Sequence, residues 1–544
     1  MYDLLITGGR VLDGTGAPWY WADIGVVGDR ISRIGSLAGA SARRAINADG
    51  RIVCPGFIDL HTHSDLQLLA NPLHECKIRQ GVTTDVLGHD GLGLAPITPR
   101  TAPILREQLS AWNGRPDLEW DWHTITTYLD RFDGGRVAVN VAMLVPHGTV
   151  RMIVMGIEDR APTPDEMARM QALIDQGMRE GAIGLSTGLT YVPCMYATDD
   201  EMVELCRPLR PYNGFYCPHH RSYGLEVLRA NYDTIEIARR ARVPLHLTHC
   251  HVGHRPNKGR APELLAAIDQ ARADGLEITM DSYPYLAGNT YLHAFLPNWM
   301  QEGGGEATLA RLKSPDIQDR LRHDMEVTGS EGFGGVPMGW ELLQIGGIDG
   351  DHDPEIVGMF LPDAAARDGK SNCEFFVDLL IRSNLGVSVL AHIGNEENVQ
   401  TILRHPAHMV GSDGILVGDR PHPRGWGSHA KFLAHYVGNL GLLSWEEGIR
   451  KVTSAPARRI GSIDRGILRP GMMADLVVFD PDALRDTATY ENPISYPAGV
   501  DHVAVNGALV LENGEPTGAK PGRALREPYG RKPERITEPN SLSL

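Results

Sequence analysis

Between residues 57 and 413 the chain repeats one alternation of apolar and polar positions. A short, nearly continuous apolar run is followed by a longer stretch whose apolar residues recur at helical spacing. Runs that are apolar throughout fit strands buried on both faces. They lie at 57–63, 83–88, 138–145, 182–186, 215–219, 244–249, 277–282 and 408–413. The stretches 163–180, 198–209, 224–240 and 261–274 fit the helices between them. Eight such βα units predict an α/β fold, a parallel (β/α)8 barrel of the TIM type. A ninth apolar run, Gly386-Val387-Ser388-Val389-Leu390-Ala391, exceeds that count and is assigned to an insertion or an edge. The interval before the eighth run is too long for a plain loop, and its Gly-rich part, 303–350, predicts a lid or binding insertion at about 289–350.

The texture changes at both ends. Short strands broken by Gly8-Gly9, Gly14-Thr15-Gly16 and Gly28-Asp29 fill the first 55 residues, and similar runs return at 474–480 and 503–510. One small β-sandwich domain built from 1–55 and 464–526 is expected beside a catalytic barrel of 56–463. The remaining 527–544, rich in Pro, Glu, Arg and Ser, is expected to lie over the surface or fray.

Composition narrows the function classes. A charged fraction of 22% and an apolar fraction of 42% are those of an ordinary soluble globular protein. The formal net charge of −16 argues against nucleic acid or an anionic membrane as partner and leaves a small-molecule substrate. No run approaches the length of a membrane span, and the first residues lack the basic and apolar regions of a signal peptide. Seven cysteines without a Cys-x-x-Cys pair suit reduced thiols in a cytoplasm.

The candidate chemistry sits where the predicted strands end. In Phe57-Ile58-Asp59-Leu60-His61-Thr62-His63 an apolar strand delivers two imidazoles two residues apart, on one side of the extended chain. A bare His-x-His is equally a polar pair on a solvent-facing strand. Here the later strand ends carry His89-Asp90, His219-His220, His249 and Asp413, and functional groups of a βα barrel gather at those ends. Imidazoles and carboxylates without a thiolate cage suit a divalent transition metal. Chance would place one or two of the 22 histidines there, but not this ordered set.

Longer motifs extend the pattern: Pro55-Gly56-Phe57-Ile58-Asp59-Leu60-His61-Thr62-His63-Ser64-Asp65, Gly184-Leu185-Ser186-Thr187-Gly188-Leu189-Thr190-Tyr191, Tyr283-Pro284-Tyr285-Leu286-Ala287-Gly288, Met409-Val410-Gly411-Ser412-Asp413-Gly414 and His422-Pro423-Arg424. With these the chain resembles the amidohydrolase superfamily and, within it, the N-acyl-D-amino-acid deacylases. The resemblance implies two metal positions, a more exposed one held by His61, His63 and Asp413 and a deeper one held by Asp90, His219 and His249. Many relatives bridge two ions with a carboxylated lysine from the fourth strand, and none stands in Ala182-Ile183-Gly184-Leu185-Ser186-Thr187. The deacylase branch places a cysteine after the second strand, where this chain has His89-Asp90-Gly91. Asp90 is taken as that ligand, with His89 the competing residue. Oxygen in place of sulfur keeps zinc first and admits manganese, cobalt or iron, one or two ions per chain.

By the same resemblance Tyr191, Tyr283 and Arg221 are substrate contacts, the tyrosines having packing at the barrel mouth as an alternative. His251 and Asn289 stand where the family has a lysine and a serine, so they too are assigned to substrate binding. His220 and His251 flank ligands and are expected behind or beside them rather than on the metal. The implied activity is metal-dependent hydrolysis of a linear amide C–N bond, foremost deacylation of N-acyl-D-amino acids through a metal-activated water. Asp413 would be the general base and then the general acid. Hydrolysis of a cyclic amide, carbamate or ester is the alternative on the same centre. A non-catalytic assembly protein is a second alternative, but it would have no need of the full donor set.

Overall fold

The computed structural model describes residues 1–349 and 353–526, so the tail expected to fray, 527–544, lies outside the described residues. The strands Phe57–Asp59, Val82–Leu87 and Asn140–Met143 pair in parallel in chain order. Val145–Pro146, Gly184–Gly188, Phe215–His219, Leu245–Leu247, Ile278–Ser282 and His408–Val410 continue the parallel series. Only Leu144 separates Asn140–Met143 from Val145–Pro146, which makes them two halves of one strand. The series then returns on itself: Thr62 bridges in parallel to Gly414, and the Asp413 N–H donates to the His61 carbonyl at 2.7 Å. Nearly every residue of these strands is buried, which is why their sequence lacks the polar alternation of a half-exposed sheet.

The intervening helices carry their own start signals. Pro164–Arg179 begins after Thr163, whose hydroxyl accepts from the Glu166 N–H while the Glu166 carboxylate returns to the Thr163 N–H. Pro164 occupies the first turn, where its missing donor costs nothing, and Met170, Ile174 and Met178 form the buried face. Among the described residues no helix is long and apolar enough to cross a membrane.

Strands from both chain ends form one nine-stranded sheet. The junction is Ile52–Pro55, which pairs in parallel with Tyr2–Val11 on one side and antiparallel with Leu476–Phe479 on the other. The Gly56 N–H donates to the Asp475 carbonyl at 2.8 Å, so the two-ended sheet is fastened directly below the strand that carries His61.

The ninth apolar run has a place of its own. Val387–Ala391 is the central strand of a three-stranded antiparallel sheet, flanked by Gly288–Tyr291 and Leu343–Ile348. It is buried on both faces like the parallel strands, which is why pattern alone could not separate it from them. With the helices Gly304–Leu312, Pro315–His323, Leu361–Arg367 and Asn372–Arg382 it encloses a second core around Phe295, Phe333, Phe375 and Phe376. This excursion therefore reaches from 288 to 391, beyond the Gly-rich part. It touches the loop that follows Phe215–His219 through a glycine contact: the Leu225 N–H donates to the Gly334 carbonyl at 2.9 Å, and a Cβ on Gly224 would lie 2.0 Å from that oxygen. Gly224→Ala should force the two backbones apart and lower stability by about 1–3 kcal/mol. Thermal unfolding, with limited proteolysis of 303–349 as a local readout, checks this; an unchanged melting temperature and digestion rate would show that the contact yields freely.

Candidate metal centre

His61 and His63 leave the first strand just past Asp59, and both are buried. Asp90 lies in the turn after the second strand, His219 ends Phe215–His219, His249 follows Leu245–Leu247, and Asp413 follows His408–Val410. Three of these residues have left-handed backbone: Asp90 at φ 55°, His249 at φ 29° and Asp413 at φ 50°. Such conformations cost of order 1–3 kcal/mol each and concentrate at functional sites.

Among the described residues the donor atoms converge as two groups, each within 4.8 Å: His61, His63, Asp90 and Asp413, and then Asp90, His219 and His249. Asp90 belongs to both. Its Oδ1 lies 3.7 Å from His61 Nε2 and 3.6 Å from His249 Nε2, and its Oδ2 lies 3.5 Å from His63 Nε2 and from His219 Nδ1. Asp413 Oδ1 lies 3.1 Å from His63 Nε2 and 3.5 Å from His61 Nε2. His61 Nε2 and Asp90 Oδ1 are buried without a hydrogen-bond partner. Buried polar atoms left so are costly, and imidazole nitrogens and carboxylate oxygens aimed at one point suit a divalent cation. His89, the competing residue, joins neither group; its ring stacks on that of His61 with centroids 4.1 Å apart.

Charge is balanced tightly here. Burial pushes the Asp90 carboxyl up, but His249 and His219 hold it well below the usual carboxylate range. Burial likewise opposes ionisation of Asp413, and Arg424 and His61 overcome it. For His63 burial disfavours the cation, yet Asp413 and Asp90 raise its pKa to about 9. Burial dominates at His219, lowered to about 4. Three of the four imidazoles also have a polar neighbour behind them: Tyr223 OH is 2.8 Å from His249 Nδ1, Thr190 Oγ1 is 2.7 Å from His219 Nε2, and Asp281 Oδ1 is 3.5 Å from His61 Nδ1. Asp281 also accepts from the His249 N–H at 2.8 Å, bracing that strained residue.

Above the donors opens a cavity lined by Trp112, Tyr191, His251, Tyr283, Asn289 and Arg424. Tyr191 OH lies 3.1 Å from Thr290 Oγ1, and the His251 ring stands 4.3 Å from that of Tyr283. Burial first, then His249 and Arg424, lowers the His251 pKa to about 3. His251 Nε2 and Asn289 Oδ1 are buried and without partners. Arg221, expected at the substrate, does not line this cavity. Its Nη2 donates to the Ala197 carbonyl at 2.7 Å and to Asp199 Oδ1 at 3.0 Å, because the chain turns away after His219. His220 turns away too and meets Asn231.

The cation in the cavity is Arg424, fully buried, with Nη1 2.8 Å from Asp413 Oδ2 and Nη2 donating to the Asn289 carbonyl at 3.1 Å. Sequence reasoning noticed His422-Pro423-Arg424 as a motif but gave the arginine no role; its place just beyond Asp413 was the available signal. Tyr223 and Asp281 carried no sequence signal of their own.

A series of parallel strands closed on itself, with imidazole and carboxylate donors at the strand ends, defines an α/β protein with a strand-end metal centre. Residues 44–511 match the amidohydrolase family, and the chain belongs to that family. It is 37% identical over 526 residues to the D-aminoacylase of Alcaligenes xylosoxydans xylosoxydans, covering 96% of this chain and 97% of that one. It is 34% identical to the N-acyl-D-glutamate deacylase of the same organism, covering 96% of each. Among solved structures, the N-acyl-D-glutamate deacylase from Bordetella bronchiseptica, complexed with zinc and a phosphonate mimic of the tetrahedral intermediate, superposes with a TM-score of 0.83. That match has 33% identity and covers 96% of this chain and 99% of that one. A D-aminoacylase structure concerned with its binuclear metal centre gives a TM-score of 0.81 at 36% identity, covering 97% and 100%.

Sharing one carboxylate between two donor groups has a testable consequence. Asp90→Ala should weaken binding of cobalt or zinc at both groups by at least about 10-fold, whereas His89→Ala should leave both intact. Equilibrium dialysis of the two variants decides the assignment; the reverse pattern would make His89 the ligand.

Proposed function

We propose that this protein is a metal-dependent hydrolase that removes the acyl group from N-acyl-D-amino acids or related N-acyl compounds. The observation that carries the reading is the position of Asp413: one carboxylate oxygen faces His61 and His63, the other faces Arg424, and the residue lines the cavity. Three relatives alike over nearly the whole chain, a D-aminoacylase, an N-acyl-D-glutamate deacylase and an N-acyl-D-aspartate deacylase, support the substrate class. We read the closed parallel strands as a (β/α)8 barrel of 56–463 and the two-ended sheet of 1–55 and 464–526 as its accessory domain. The seven free cysteines support a reducing, cytoplasmic location.

His61, His63, Asp90 and Asp413 would hold one divalent ion, and Asp90, His219 and His249 a second; zinc is preferred by such donors, and manganese, cobalt and iron are compatible. Such an ion polarises an amide carbonyl and acidifies water. The chain supplies the rest. Asp413, ionised beside Arg424, takes a proton from the attacking water as its oxygen bonds to the acyl carbon. The same carboxyl then returns that proton to the amine nitrogen as the C–N bond breaks, since an unprotonated amine leaves poorly. Arg424 presents a guanidinium to the substrate carboxylate, and Tyr283, over whose ring that guanidinium lies at 4.5 Å, orients it. His251 and Asn289 offer unpartnered polar atoms beside it.

Release of free amine from matched D and L N-acyl amino acids, with added Zn²⁺ or Mn²⁺, tests the reading. Turnover of the D series is expected; no release from either, or a preference for L, overturns it. Asp413→Asn should lower kcat by at least about 10²-fold while an ion remains bound through Asp90, His219 and His249. Near-normal turnover by that variant would remove Asp413 from proton transfer.

A further inference from the structure

Lys77 is fully buried, lies on the short helix Glu75–Ile78, and has no part in the chemistry described above. Its Nζ pairs with Asp59 Oδ2 and donates to Ser412 Oγ at 2.8 Å. Asp59 precedes His61 by two residues on the first strand; Ser412 precedes Asp413 beyond the last strand. The other oxygen of Asp59 accepts from the Ser412 N–H at 2.8 Å and from the His61 N–H at 3.2 Å. Ser412 Oγ in turn donates to the His61 carbonyl at 3.2 Å and accepts from the Gly414 N–H at 3.1 Å. The hydroxyl thus uses its one proton and both lone pairs, and every polar side-chain atom of the triad has a partner.

This triad straddles the closure of the parallel strands. The paired portions Phe57–Asp59 and His408–Val410 stop short of the donors, so few ladder bonds set the offset between His61 and Asp413. The bridge from Thr62 to Gly414 and two backbone bonds span the gap, and Asp59, Lys77 and Ser412 fill it with directed side-chain bonds.

We propose that Lys77 is a positioning residue for the metal centre, one that fixes His61 and His63 against Asp413 through Asp59 and Ser412. Without its ammonium, Asp59 is a buried carboxylate facing no countercharge, and the backbone of both ligand-bearing segments must shift to solvate it. The inference rests on the metal-centre reading above. A role confined to stability would cost melting temperature and leave the site unchanged.

The test uses the full chain loaded with Co²⁺, comparing wild type with Lys77→Met, Ser412→Ala and Lys451→Met. Lys451 is a second fully buried lysine, bonded to the His405 and His408 carbonyls at the far end of the last strand. Lys77→Met should weaken Co²⁺ binding by about 10–100-fold, alter the visible cobalt spectrum and lower kcat more than KM. Lys451→Met should lose stability with wild-type affinity and spectrum. Should Lys77→Met fail to fold, Ser412→Ala decides, with about tenfold weaker binding and an altered spectrum expected. Wild-type affinity and spectrum in Lys77→Met, or in Ser412→Ala where it must decide, would overturn the proposal. A wild-type chain that binds no Co²⁺ would overturn the metal-centre reading instead, and this inference with it.

Discussion

Asp90 and Asp413 are ionised carboxylates withdrawn from water, and the surrounding structure exists in large part to make that tolerable. Removing a carboxylate from solvent costs several kcal/mol unless opposite charge and directed donors replace the lost hydration. Here the replacements are four imidazoles and the Arg424 guanidinium, brought from three strand ends and one following helix. Because Asp90 meets both donor groups, its position fixes theirs. Left-handed backbone at Asp90, His249 and Asp413 is the strain accepted to point the side chains inward.

The ring of parallel strands suits this task because pairing with its neighbours sets where each strand end lies. Its weakest place is the closure, where the first and last strands run out of ladder before the ligands begin. Buried polar groups of Asp59, Lys77 and Ser412 take over there. On the open side, the excursion from 288 to 391 contributes Asn289, Phe295 and Phe333 to the cavity wall and screens the donors from bulk water. Its own core supports it as a cover, and the Gly224–Gly334 contact seats it.

Cavity chemistry follows from what is charged and what is not. Arg424 is drawn toward Asp413 and toward the Asn289 carbonyl, so the guanidinium is oriented before any substrate arrives. Arg221, one position past the His219-His220 pair, is spent on Asp199, the first residue of the helix Asp199–Cys206. Two arginines near ligands in sequence thus have opposite fates, decided by which way the backbone leaves the strand end.

Much of this was legible in the chain. Period and length of the apolar runs gave the strands, because burial on both faces leaves no polar alternation. Alternation of side chains along extended backbone put His61 and His63 together, and their position at a strand end gave them a purpose. What the sequence could not decide depends on contacts between distant segments. Val387–Ala391 and the parallel strands share one composition, and only the partners of the run place it in the antiparallel sheet. His89 and Asp90 are consecutive in a turn, and the backbone angle at Asp90 decides which reaches the donors. Asp59, Lys77 and Asp281 read as ordinary polar residues until folding buries them, since a local pattern records spacing along the chain while charge pairing in the interior is set by distance in space.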